Sequence, residues 1–245
     1  KVLALLKEMK EQEPPITPNA MTYTAVLKAQ AKSQQAGNSG VNPERVLQEM
    51  ETQFQAGNKA VEPTTIHYNV VMDGYAKGPS AEKAQDVQRL YRGMLALRRE
   101  NTRPNIITYN TMLRACANTF GDKQIKQIAM GIALNTFRLI VKSNKNNDES
   151  SVRPSSITFL FFLKAIRKLI PKEIEPEKRS MILERTVSYC CELGLMNDYV
   201  LGQVKSICSI QELTDLFQRL AGNELHEFSQ TMRASDLPPA WTRNA

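Results

Sequence analysis

Apolar residues return along this chain at the spacing of a helix with one buried face. They fall at Tyr68, Val71, Met72 and Tyr75, at Tyr109, Met112, Leu113 and Cys116, and at Phe159, Phe162, Leu163 and Ile166. Each set follows i, i+3, i+4, i+7, which places its members on one stripe of an α-helix. An earlier set begins the same way with Tyr23, Val26 and Leu27 and is interrupted at Gln30. A proline precedes each leading aromatic by five residues: Pro18 and Tyr23, Pro63 and Tyr68, Pro104 and Tyr109, Pro154 and Phe159. Proline is tolerated before or within the first turn and cannot continue a helix before it, so it marks four helix starts.

A second helix is predicted after each first one. Similar apolar centres recur at ALLKEM (4–9), RVLQEM (45–50), RLYRGM (89–94) and, more loosely, NTFRLI (135–140). Ser80 and Asp122 are suitable caps for two of these helices. The unit is therefore a helix hairpin, repeated at proline-to-proline spacings of 45, 41 and 50 residues. The polar tracts at 33–42 and 142–151 read as loop insertions that account for the uneven spacing. Beyond Pro171 the proline–aromatic pair disappears, although helices are still predicted at about 176–193, 197–208, 211–220 and 223–233. The final DLPPAWTRNA reads as an unstructured or docked tail. The predicted architecture is all-α: a right-handed α-solenoid of helix hairpins over residues 1–170, closed by a C-terminal helical cap and tail over 171–245. The chain opens at Lys1 inside a helical pattern and without a methionine, so further sequence is expected upstream.

The phrasing of the repeat resembles the pentatricopeptide family. The segment Ile106-Ile107-Thr108-Tyr109-Asn110-Thr111-Met112-Leu113 carries the resemblance best, and Thr65 to Met72 nearly as well. Ala20 to Thr24 and Ser156 to Leu160 are weaker copies. The tetratricopeptide family fits less well, because no first helix contains its Leu-Gly. Every copy here is longer than the usual helix-hairpin repeat.

The resemblance implies single-stranded RNA as partner, read at one base per repeat by two or three side chains. It implies that the residue after the aromatic reads a base together with the residue after the next proline. The pairs are then Thr24 with Thr64, Asn69 with Asn105, and Asn110 with Ser155; Leu160 opens a fourth pair without a hydrogen-bonding group. By the same resemblance, Met21, Ile66, Ile107 and Ile157 pack against base planes, and the asparagines favour pyrimidines. It further implies a mitochondrial or chloroplast setting and a role in RNA processing, stability or translation. Residues four and eight beyond each reader share its helix face. Six of these eight are basic: Lys28, Lys32, Lys77, Arg114, Lys164 and Lys168, with Asp73 and Asn118 completing the set. Random placement would supply roughly one cation among eight. Such a stripe suits a phosphate backbone. Two plainer readings stand beside these: a lysine-rich face is also how a solvated helix looks, and Asn69 and Asn110 are also suited to capping a helix.

Composition adds direction and exclusions. With 42% hydrophobic residues among 245, the chain has material for a sizeable core. Its net charge of +7 favours anionic partners. Cys116, Cys190, Cys191 and Cys208 contain no C-x-x-C pair, and the two histidines, His67 and His226, assemble neither a metal site nor a catalytic triad. No glycine-rich phosphate loop and no apolar run long enough to span a membrane is present. The reading is therefore a non-enzymatic binding protein with no cofactor, no small-molecule substrate and no membrane partner. A protein-binding helical-repeat scaffold is the alternative to RNA binding.

Overall fold

A computed structural model describes residues 2–13, 17–36, 42–146, 152–171, 175–221, 229 and 231–245. Among these, every regular element is helical, and the chain is all-α. Two compact units divide at Gly121 and Asp122.

The first unit holds α1 (Val2–Glu11), α2 (Ala20–Gln35), α3 (Pro43–Gln55), α4 (Thr65–Lys77), α5 (Lys83–Ala96) and α6 (Ile106–Asn118). The starts of α2, α4 and α6 follow the prolines, and each has a polar N-cap one residue beyond its proline. Asn19, Thr64 and Asn105 each form a reciprocal capping box with the third residue of the helix, Thr22, His67 or Thr108. Two otherwise unpaired backbone groups are satisfied at each start, which fixes the helix entry.

The helices α2, α4 and α6 pack side by side, α4 between the other two. Small residues permit the close approach: a Cβ added at Gly74 would lie 2.9 Å from the Cβ of Ala31. Polar cross-ties fix the register. His67 reaches Thr24 and Ala20 of α2, while Asn118 Nδ2 of α6 donates to the Ala76 carbonyl of α4 at 3.0 Å. The repeat aromatics belong to the packing layer. Tyr23 is fully buried and its hydroxyl donates to Glu49 at 2.9 Å, and Tyr68 is buried with its hydroxyl on Glu51. The second helices have their own ties. Arg89 of α5 forms a two-pronged bridge to Glu44 of α3, and Arg99 pairs with Glu51 while lying over the Phe54 ring.

The second unit holds α7 (Lys123–Asn146), α8 (Ser156–Leu169), α9 (Pro176–Glu192), α10 (Asp198–Ile207), α11 (Ile210–Ala221) and the single turn α12 (Pro239–Thr242). Asp122 caps α7 as expected, its Oδ1 accepting from the Ile125 N–H at 2.8 Å. Ser80 behaves differently from expectation. It accepts from Glu82 N–H, and Glu82 rather than Ser80 occupies the N-cap of α5. Of the tract expected as a loop at 142–151, residues 142–146 are helical because α7 continues to Asn146, and 147–151 lie outside the described residues. Asn144 there donates to the Tyr189 hydroxyl, and Lys145 in the last turn complements the carbonyl end of the helix.

The C-terminal helices appear where periodicity predicts them, except that the element expected at 223–233 falls largely outside the described residues. The tail is docked. Trp241 sits 5.7 Å from the Phe217 ring, its carbonyl accepts from Met196 N–H, and Asn244 N–H donates to the Gly194 carbonyl. Gly194 takes φ +69° after α9, and a side chain there would strike Arg243, so glycine is required where the tail docks.

Candidate nucleic-acid interface

The second residue of each proline-led helix is a large apolar side chain held out to solvent. Met21, Ile66, Ile107 and Ile157 are between 52% and 78% exposed. A single exposed apolar residue is ordinary. Recurrence at one helical position in four helices, beside a buried Thr or His at the next position in three of them, is a patterned surface. Along α2, α4 and α6 these residues stand at equivalent points on neighbouring parallel helices.

The polar layer lies one turn further along each helix. Asn69 and Asn110 are 9% and 8% exposed and sit inside their helices. Neither caps a helix; that role belongs to Thr64, Asn105 and Ser155, so the capping alternative for the two asparagines does not describe this structure. Asn69 and Asn105 do come together, with Asn69 Nδ2 3.4 Å from Asn105 Oδ1. Asn105 Oδ1 also accepts from the N–H groups of Ile107 and Thr108. Asn69 Oδ1 is buried without a hydrogen-bond partner among the described residues. Buried amide oxygens are normally paired, so this atom has unused accepting capacity.

Thr24 and Thr64 are joined through a third residue. Thr24 Oγ1 donates to the Ala20 carbonyl and lies 3.0 Å from His67 Nε2, and Thr64 Oγ1 lies 3.0 Å from His67 Nδ1. The Thr64 N–H also donates to Nδ1, so in the neutral ring Nε2 carries the proton and serves Ala20 and Thr24. Burial lowers the His67 pKa below its ordinary value of 6.5, partly offset by the hydrogen bond to Ala20. Asn110 lies in the first unit and Ser155 in the second. Ser155 forms a capping box with Thr158, and Leu160 is half-buried.

The basic stripe divides into two kinds. Lys28, Lys32 and Lys168 are exposed, and Lys164 is half-exposed with its ammonium 6.0 Å from the Phe161 ring centre. Lys77 and Arg114 both pair with Asp73, Lys77 at 2.6 Å. The sequence shows one acid among six cations; the structure shows that this acid draws two of them into a local network carrying a net single positive charge.

One exposed aromatic escaped the sequence reading. Tyr199 is the second residue of α10 and is 78% exposed. Asn197 caps that helix by accepting from Val200 N–H at 3.0 Å, as Asn19 does from Thr22. The helix packs along α8, as α4 packs along α2. Met196 replaces the proline and a buried Leu201 replaces the aromatic, so the usual signature is missing. The surviving signal was the cap, three residues before an apolar position.

Residues 4–77 and 95–133 match the pentatricopeptide repeat domain. These segments are pentatricopeptide repeats. The match spans α1 to α4 and the region around α6, while the proline-led helix α8 and the α10 helix lie beyond it. No curated protein matches the chain. Repeats of this family form helical solenoids and typically bind RNA. Among the described residues no three His, Cys, Asp or Glu side chains gather as a metal site, and no helix is long and apolar enough to cross a membrane. Cys116 is fully buried, which pushes its thiol up to about 12, far from a reactive thiolate.

Proposed function

We propose that the pentatricopeptide repeats bind single-stranded RNA through the exposed second residues of their proline-led helices, Met21, Ile66 and Ile107 in the first unit and Ile157 in the second. The observation that carries this is the repeated pairing of an exposed apolar residue with a polar position one turn further along, at Thr24, Asn69 and Asn110. An apolar side chain offers a dry face to a base plane, and an amide matches the donor and acceptor groups of a base edge. Asn69, with its unpartnered oxygen beside Asn105, is the foremost base reader, Thr24 with Thr64 is the companion pair, and Asn110 and Ser155 are further readers, one in each unit. Lys28, Lys32, Lys164 and Lys168 serve the phosphates more strongly than Lys77 and Arg114, which share Asp73. The array takes residues 1–170 and the cap 171–245. A role in mitochondrial or chloroplast RNA processing, stability or translation fits this reading.

A protein-binding scaffold is the second reading, favoured by the hydrogen bonds that already occupy Thr24, Thr64 and Asn105. Fluorescence anisotropy separates the two. Labelled pyrimidine RNA should bind more tightly than purine RNA or duplex RNA, with affinity falling steeply as salt rises. Asn69→Ala with Asn110→Ala should erase the pyrimidine preference. Absence of RNA binding even at low salt would leave the scaffold.

A further inference from the structure

The second unit contains a cleft of about 960 Å³ between α7 and α9, floored by α8. Its floor is the stacked pair Phe137 and Phe162, 4.2 Å apart and nearly parallel. Its walls are aliphatic, with Leu134 and Val141 from α7 and Met181 and Ile182 from α9. Met181 is 48% exposed there, and thioether side chains adapt to many apolar partners.

The rim is cationic. Arg138, Lys142 and Lys145 follow one face of α7, and Lys178 and Arg185 stand on α9. All five are exposed. Lys178 pairs with Glu175, whereas the other four have no ion pair among the described residues. The two acids on the cleft are engaged, Glu184 with Arg219 and Glu192 with the Ser188 hydroxyl. In the first unit, by contrast, Arg89, Arg99 and Arg114 all pair with acids of the fold.

The cleft is separate from the candidate RNA face of the same unit. At about 100° per residue, Phe162 points roughly 120–160° away from Ile157, Lys164 and Lys168 around α8. Its chemistry also differs from a nucleotide platform. Its aromatic rings are engaged with one another: Phe137 stacks on the buried Phe162 and meets Tyr189 edge-on. What is open is an apolar trough with cations on both sides, about 16 Å long from Leu134 to Lys145, or three helical turns. That is the complement of an amphipathic helix with an apolar stripe and acidic flanks.

We infer that the cleft between α7 and α9 docks an acidic amphipathic helix of a protein partner, its apolar stripe against Phe137, Val141 and Met181 and its carboxylates on Arg138, Lys142, Lys145 and Arg185. The inference stands apart from the RNA reading, because the two surfaces lie on different sides of α8.

The test uses the full chain and a fluorescein-labelled synthetic peptide of about five helical turns. The peptide carries Leu and Phe at i, i+3, i+4 and i+7, with Glu on both flanks. Anisotropy should show saturable binding that weakens about tenfold or more in Lys142→Glu with Arg185→Glu, and again when the peptide's Glu residues become Gln. Met181→Ala should weaken it about threefold, because it strips apolar surface from one wall. These residues are exposed, and circular dichroism should show unchanged unfolding. Absence of peptide binding, or binding indifferent to the charge reversal, overturns the proposal. Loss of single-stranded RNA binding in the Lys142→Glu, Arg185→Glu protein, with peptide binding unaffected, assigns the cleft to RNA instead and likewise overturns it.

Discussion

The parallel helices of the first unit and the α8–α10 pair of the second are built alike and chemically different. Both use a polar N-cap in extended backbone and an apolar second residue in solvent, followed in all but α2 by a buried third residue. One turn further along they diverge. The first unit has Asn69 and Asn110 there, and the second has Leu160 and Gly202. The cations diverge too: Asp73 draws in Lys77 and Arg114, whereas Lys164 and Lys168 pair with no acid among the described residues. Helix starts and packing are thus set by caps, prolines and small residues. Under the RNA reading proposed above, Asn69 and Asn110 of the first unit discriminate bases, and the second unit offers no amide at that position.

The largest expected effect tests whether the shared scaffold depends on its buried aromatics. Phe159→Ala removes a fully buried ring from the α8 layer and should cost about 3–5 kcal/mol, read by denaturant unfolding. Next comes the close approach of α2 and α4. Gly74→Val forces branched carbon against Ala31 and should cost about 1–3 kcal/mol in the same measurement. Tyr199→Ala sharpens the comparison in the second unit, because it removes an exposed aromatic from a helix position that is aliphatic in the proline-led helices. RNA affinity should fall by about 1–3 kcal/mol with pyrimidine preference intact, checked by anisotropy.

The smallest effect is a pH dependence confined to the α2–α4 junction. His67 has a lowered pKa in the fold, so the unfolded chain takes up its proton first as pH falls. Stability should be full above about 6.5, decline as pH drops below that ordinary value, and level off once the folded protein is protonated as well. The depressed folded pKa makes the neutral ring the stabilising form, in keeping with Nδ1 accepting from Thr64 N–H. In His67→Thr, which restores the residue found in the other copies, unfolding should lose this dependence while the bridge to Ala20 disappears.

Much of this is legible from local signals. The proline, cap and aromatic spacing locates the starts of α2, α4, α6 and α8, because helix initiation is decided within a few residues. The second-position row follows from the same register. What escapes depends on neighbours distant in sequence. Asp73 meets Arg114 of the next repeat, and His67 reaches back to Thr24, and neither partnership has a local trace. The α10 helix reads as part of a cap because packing along α8 needs neither proline nor aromatic once Asn197 caps it. The cationic cleft is hidden for the same reason, since α7 and α9 share it only through α8. Of the loop predicted at 142–151, residues 142–146 are helix, and Asn144 there donates to Tyr189, a partner distant in sequence.

The most direct test of the central claim is photo-crosslinking of 4-thiouridine-substituted single-stranded RNA to the full chain, with the attached peptides identified by mass spectrometry. We expect adducts on the starts of the proline-led helices, around Ile66 and Ile107, and on the start of α10 around Tyr199. Adducts confined to the second helices α3 and α5, or none at RNA concentrations that saturate binding, would contradict the assignment of this face to RNA.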